Sequence, residues 1–169
     1  MFTIAALYHF TRFDDPEALQ GTLYDLCHQA RISGTLILAR EGINGTIAGS
    51  RSGIDAVLKH LKSIPEFAGL DTKESFCREQ PFRRARVRLK KEIVTMGVDE
   101  IDPNQSVGTY VEPQDWNDLI SDPDVVVIDT RNEYEIAIGT FEGAENPHTE
   151  SFREFPQYVD KQLDPTKQK

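Results

Sequence analysis

Between Phe2 and Val94 the apolar residues switch between a two-residue and a near-four-residue period, and the order of the switches leaves few folds open. Phe2 to Phe10 alternates and is rich in β formers, which predicts a strand. Asp14, Asp15 and Pro16 give a helix start, followed by Leu19, Leu23, Leu26, Cys27 and Ala30 at helical spacing, with Gly34 expected as the stop. Thr35 to Ala39 reads as a second strand and Gly45 to Ala48 as a third, with Glu41-Gly42-Ile43-Asn44 as the turn between them. Asn44-Gly45 suits a tight turn with positive φ. Ser52 to Ser63 places Ile54, Val57, Leu58 and Leu61 on one helical face, and Pro65 closes it. Beyond Lys73 strand-like alternation returns and ends in Arg84 to Val94.

The resulting order, β-α-β-β-α-β, is the split arrangement of an α+β ferredoxin-like sandwich, with two helices on one face of an antiparallel sheet. We expect it over residues 1–98. Residues 99–108, DEIDPNQSVG, are acidic and turn-forming without periodicity, and read as a linker to a second domain over 109–169. The charge changes at the same place. Residues 1–98 carry 14 Lys and Arg against 11 Asp and Glu, whereas 99–169 carry 5 against 17. The first module is thus the one suited to a polyanion.

No apolar run approaches the roughly 20 residues that span a bilayer. The start, MFTIAALYHF, lacks a basic leader and a small-residue cleavage site, so a cytoplasmic protein without membrane contact is expected. Two cysteines are too few for a disulfide framework or a structural zinc site. Cys27 lies in the apolar stripe of the first helix and reads as core; Cys77, beside Arg78, also reads as structural. His9, His28, His60 and His148 make no i, i+4 pair with a carboxylate, so no metal site is expected.

Two features of the first module carry chemistry. Arg84, Arg86, Arg88 and Lys90 share one face of a strand while Ala85, Val87 and Leu89 take the other. Such a row serves either as a phosphate track or as the charged guard of an edge strand. Arg40 and Glu41 project at the end of the second strand, beside a turn whose backbone can approach a ligand. They are either site residues or a surface ion pair.

In the second module, Val125 to Ile128 is a β-branched run of the kind buried on both faces of a parallel sheet. Polar chemistry begins at Asp129, and Asn132 is placed to cap a short helix through Glu133, Tyr134 and Glu135, ended by Gly139. Parallel sheets bind ligands outside the carboxyl ends of their strands, which makes Asp129 and Arg131 site candidates; the alternative is an ion pair that holds the turn. Asp129, Arg131, Glu133, Tyr134, Glu135, Gly139, Gly143, Ala144, Asn146 and Pro147 together resemble the front half of a rhodanese-like α/β domain.

The combined pattern resembles one family over nearly the whole chain, the rhodanese-domain tRNA uridine hydroxylases. It consists of Arg40-Glu41-Gly42-Ile43-Asn44-Gly45-Thr46, a basic strand ending in Lys90-Lys91-Glu92-Ile93-Val94, the segment Tyr110-Val111 to Trp116, and Gly139-Thr140-Phe141 to Pro147. The resemblance implies oxygen-dependent hydroxylation at carbon 5 of the wobble uridine of tRNA. Molecular oxygen is then a co-substrate, no redox cofactor is implied, and tRNA rather than DNA is the partner. It adds Asn44 and Glu135 to the active-site support candidates Arg40, Glu41, Asp129 and Arg131.

The family's essential cysteine sits in a Cys-x-x-Gly-x-Arg-Cys type loop to which nothing in 148–169 corresponds. The rhodanese-like domain is therefore expected to be partial and the 169 residues inactive alone, with the catalytic cysteine beyond Lys169. Two alternatives stand beside RNA modification: a rhodanese-type sulfurtransferase and a non-catalytic RNA-binding or regulatory module.

Overall fold

The computed structural model describes residues 1–98 and 108–164. Apart from Gly108, the expected linker falls outside the described residues. Two compact units are present, Met1–Val94 and a second that holds 95–98 and 108–164 among the described residues.

The first unit runs β1 (Phe2–Phe10), α1 (Pro16–Gln29), β2 (Ser33–Ala39), β3 (Gly42–Gly49), α2 (Arg51–Lys62), a 3-10 turn at Pro65–Phe67, β4 (Asp71–Cys77) and β5 (Ala85–Leu89). The sheet order is β4-β1-β3-β2-β5. Its first four strands are the antiparallel ferredoxin-like core, as expected. The stretch beyond Lys73, read from sequence as one final strand region, divides in two: β4 pairs antiparallel with β1 at one edge, and β5 pairs parallel with β2 at the other. The 78–84 loop carries the chain from one edge of the sheet to the other.

Helix starts follow the sequence. The Asp15 carboxylate accepts from the Ala18 N–H at 3.0 Å, and the Ser50 hydroxyl accepts from the Gly53 N–H at 3.1 Å. The end of α1 does not. The helix stops at Gln29, Arg31 takes φ 54°, and the amides of Arg31 and Ile32 donate back to the carbonyls of His28 and Cys27. That is a left-handed helix stop built on arginine rather than glycine, and Gly34 lies within β2.

The hairpin differs as well. Ala39 pairs with Gly42, so Arg40-Glu41 is the turn, and Asn44 and Gly45 lie inside β3. Gly42 carries the positive φ, 135°, and a Cβ there would stand 2.0 Å from the His9 carbonyl oxygen. Gly45 is needed for close approach, because a Cβ would stand 2.2 Å from the Thr35 oxygen.

Inward residues of the sheet, Ala5, Leu7, Leu36, Leu38, Ile43, Ile47 and Val87, pack against Leu19, Leu23 and Cys27 of α1 and Ile54, Val57, Leu58 and Leu61 of α2. Each such Leu, Ile or Val contributes about 1.5–3 kcal/mol by leaving water.

The second unit contains α3 (Trp116–Ile120), α4 (Glu133–Ile136), a 3-10 turn at Phe152–Glu154 and α5 (Phe155–Gln162). Among its described residues the buried side chains are polar, Asp129 and Thr149. Val125 to Ile128, expected as a strand buried on both faces, is half-buried and, among the described residues, makes one parallel bridge, Ile128 to Glu145. A lone pair of segments is marginal in water; three or more strands with a covered face are needed for independent stability.

Candidate functional site

On β5, Arg86 lies beside Thr35 and Arg88 beside Ile37 in the parallel register. The opposite row packs on α1, and the Gln20 amide donates to the Val87 carbonyl at 2.9 Å, which seats β5 on the helix. Arg84, Arg88 and Lys90 are exposed and Arg86 is half-buried. Among the described residues no ion pair involves any of the four; the ion pairs lie elsewhere, as where Arg51 joins Glu74 and Asp55. The four guanidinium and ammonium groups therefore present uncompensated positive charge along one edge of the sheet.

Arg40 joins this row at its far end. It lines a hollow of about 280 Å³ with Pro16, Glu17, Leu89, Lys90 and Lys91. The reason is visible in the neighbouring hydrogen bonds. The Ile93 N–H donates to Glu41 Oε1 at 2.5 Å, and Asn44 Nδ2 donates to the Ile93 carbonyl at 3.0 Å. Lys90 is fixed on the other side, its N–H donating to the Leu38 carbonyl at 2.9 Å. Glu41 and Asn44 thus clamp both polar atoms of one peptide residue, Ile93, which is 2% exposed. The clamp holds Lys90 and Lys91 beside Arg40. The turn backbone contributes too, the Arg40 and Glu41 carbonyls accepting from Phe13 and Thr11 at 2.8 and 3.0 Å.

At the opposite end of β5 a larger hollow, about 520 Å³, is lined by Gly34, Thr35, Pro81, Phe82, Arg83, Arg84 and Arg86. Sequence reasoning found its arginines but not Phe82 or Thr35. An aromatic beside Pro81 just ahead of a basic run is the signal that was available.

In the second unit, Asp129 is 8% exposed and is surrounded by donors. Oδ1 accepts from the Arg131 backbone N–H and from Nε, and Oδ2 accepts from Arg131 Nη2 and from the Thr140 hydroxyl at 2.8 Å. Arg131 Nη2 also donates to the Gly139 carbonyl at 2.7 Å. Hydrogen bonding from Arg131, helped by Thr140, holds the Asp129 carboxyl well below the usual carboxylate range. An ionised carboxylate whose lone pairs are all occupied ties the 139–140 loop to the end of the Val125–Ile128 segment and is poorly placed to take a proton from substrate. Glu135 accepts from the Asn132 backbone N–H at 3.2 Å and from its side-chain amide at 2.8 Å, and so stabilises the start of α4. Further along, Tyr158 donates to Glu145 at 2.8 Å, joining α5 to the segment that bridges Ile128.

Neither thiol has a reactive setting. Cys27 is buried in the core, where burial pushes its thiol up to about 11. Cys77, half-buried at the end of β4, donates to the Glu79 carbonyl at 2.9 Å. Among the described residues no helix is long and apolar enough to cross a membrane.

Residues 2–93 match the family described as the UPF0176 acylphosphatase like domain. The chain is 62% identical over 155 residues to the tRNA uridine(34) hydroxylase of Gluconobacter oxydans (strain 621H), an alignment that covers 92% of this chain and 50% of that protein. The chain thus spans about half the length of this curated relative. Among solved structures, it is similar to a bacterial light-regulated adenylyl cyclase (10% identity, TM-score 0.46, 52% of this chain and 28% of that one). It is also similar to the acylphosphatase of Bacillus subtilis (12% identity, TM-score 0.41, 52% of this chain and 98% of that one).

Proposed function

Because the chain belongs to the UPF0176 acylphosphatase like domain family, we propose that the protein takes part in hydroxylating uridine 34 of tRNA, the activity in the name of its Gluconobacter oxydans relative. In this reading the first unit holds tRNA through its phosphates, and the second contributes a rhodanese-like α/β layer. The product is 5-hydroxyuridine, molecular oxygen is the co-substrate, no resident redox cofactor takes part, and the reaction runs in the cytoplasm.

One observation carries the reading: two of the segments on which the resemblance rests meet at Ile93, and their meeting sets the far end of the cationic strip that β5 carries along β2. The Glu41–Asn44 clamp sets Lys90 and Lys91 beside Arg40, in line with Arg84, Arg86 and Arg88. A row of unpaired cations suits a polyanion and has no role in passing sulfur between small molecules, so the geometry favours RNA over the sulfurtransferase alternative.

Deleting the gene that encodes this chain and measuring tRNA nucleosides by mass spectrometry tests the proposal. 5-Hydroxyuridine and its derivatives at position 34 should fall. They should return with the wild-type gene and return less with Arg84, Arg86 and Arg88 replaced by Ala. An unchanged nucleoside profile in the deletion strain rules the proposal out.

A further inference from the structure

The hollow at the start of β5 has more than charge. Arg83, Arg84 and Arg86 line it together with half-buried Phe82 and with Thr35. Its volume of about 520 Å³ lies in the range of small-ligand sites. Its wall is fixed at three points. The Gln80 amide donates to the Ala48 carbonyl at 3.1 Å, the Phe82 N–H reaches Gln80 Oε1 at 3.5 Å, and the Gly34 N–H donates to the Arg84 carbonyl at 3.0 Å. These bonds fix the backbone that carries Phe82 and the arginines. Among the described residues no carboxylate neutralises the three arginines.

We infer that this hollow binds one unpaired nucleotide of a single-stranded RNA segment, its base stacked on Phe82 and its phosphate held by Arg84 and Arg86. Single-stranded sites combine a cationic track with an aromatic face, because every base offers a π surface while phosphates supply the charge. The hollow has both components within a few residues, and Thr35 adds a hydroxyl able to reach a ribose or base edge. A plain protected edge strand requires the charges but not the aromatic wall. The inference rests on the reading of the first unit as an RNA-binding unit and adds the kind of RNA that one end of it takes.

The test uses the 169-residue chain with three probes: tRNA, a short single-stranded oligoribonucleotide, and a duplex of the same sequence. Phe82→Ala and Phe82→Leu are compared, because Leu keeps apolar volume in the half-buried position while removing the ring, and a thermal melt checks that each is folded. Both variants should weaken single-strand binding roughly 5- to 100-fold with an unchanged salt slope, and leave duplex binding close to wild type. Arg84→Gln should instead lower the single-strand salt slope by about 0.7. If tRNA is bound with its full salt dependence while both Phe82 variants bind the single strand like wild type, the hollow takes no base and the inference fails although the RNA reading stands. If the wild-type chain binds none of the three probes, the RNA reading itself fails and the inference with it.

Discussion

At Ile93, removing the Glu41 carboxylate leaves a buried backbone N–H without its acceptor, a loss that typically costs about 1–3 kcal/mol. Glu41→Ala should therefore destabilise the first unit by about that amount, and Glu41→Gln, which keeps an oxygen in reach, by less. Urea unfolding distinguishes the two; equal losses would mean that the contact with Ile93 is not what Glu41 contributes. Asp129 makes a different prediction, through pH. Its carboxyl is held below the ordinary value of 3.8 by Arg131 and Thr140. The stability that it supplies to the second unit is thus complete above about pH 4 and is lost as pH falls below that, toward its depressed folded value. Asp129→Asn should weaken the second unit at neutral pH and flatten its acid limb, which near-UV circular dichroism of the Trp116 region can follow. An acid limb identical to wild type would show that the pair contributes nothing to folding.

The elements show why some of the fold was legible and some was not. The face of α2 was readable because Ile54, Val57, Leu58 and Leu61 repeat at helical spacing and all four are buried. The end of α1 was not, because tertiary packing of Ile32 stabilises a left-handed Arg31, where propensity alone points to a glycine. Asn44-Gly45 has the composition of a turn, yet Gly45 serves close strand approach and Asn44 reaches 49 residues along the chain to Ile93. Local composition cannot reveal a partner so distant. The basic row was legible from alternation alone, whereas the hollow that it shares with Phe82 depends on how the 78–84 loop is pinned. Val125 to Ile128 was read from its β-branched composition, but pairing needs neighbours, and the described ladder bonds are Asp129 to Glu145 and Glu145 to Val127. Amide hydrogen exchange should find Leu36 to Leu38 strongly protected and Val126 to Ile128 fast, while equal protection would mean that association between copies supplies the missing partners.

For the molecule as a whole, charge and core divide in the same way. The positively charged residues gather in the first unit, which also holds every fully buried apolar side chain among the described residues. A rigid sandwich with a cationic edge suits the task of gripping a polyanion, since the groups that meet phosphate are set by a packed sheet rather than by loops. In the proposed reading, the acidic second unit repels the same backbone and leaves binding to the first. The central claim is therefore that the β5 edge, and not overall charge, binds tRNA, because the whole chain carries a net charge of −9. The direct measurement is the affinity of the 169-residue chain for tRNA as a function of salt, for wild type and for the variant with Arg84, Arg86 and Arg88 replaced by Ala. Log affinity of the wild type should fall linearly with log salt, and the slope of the variant should be flatter by up to about 0.9 for each phosphate contact removed; an identical slope for the two proteins would mean that tRNA is not held at the β5 edge.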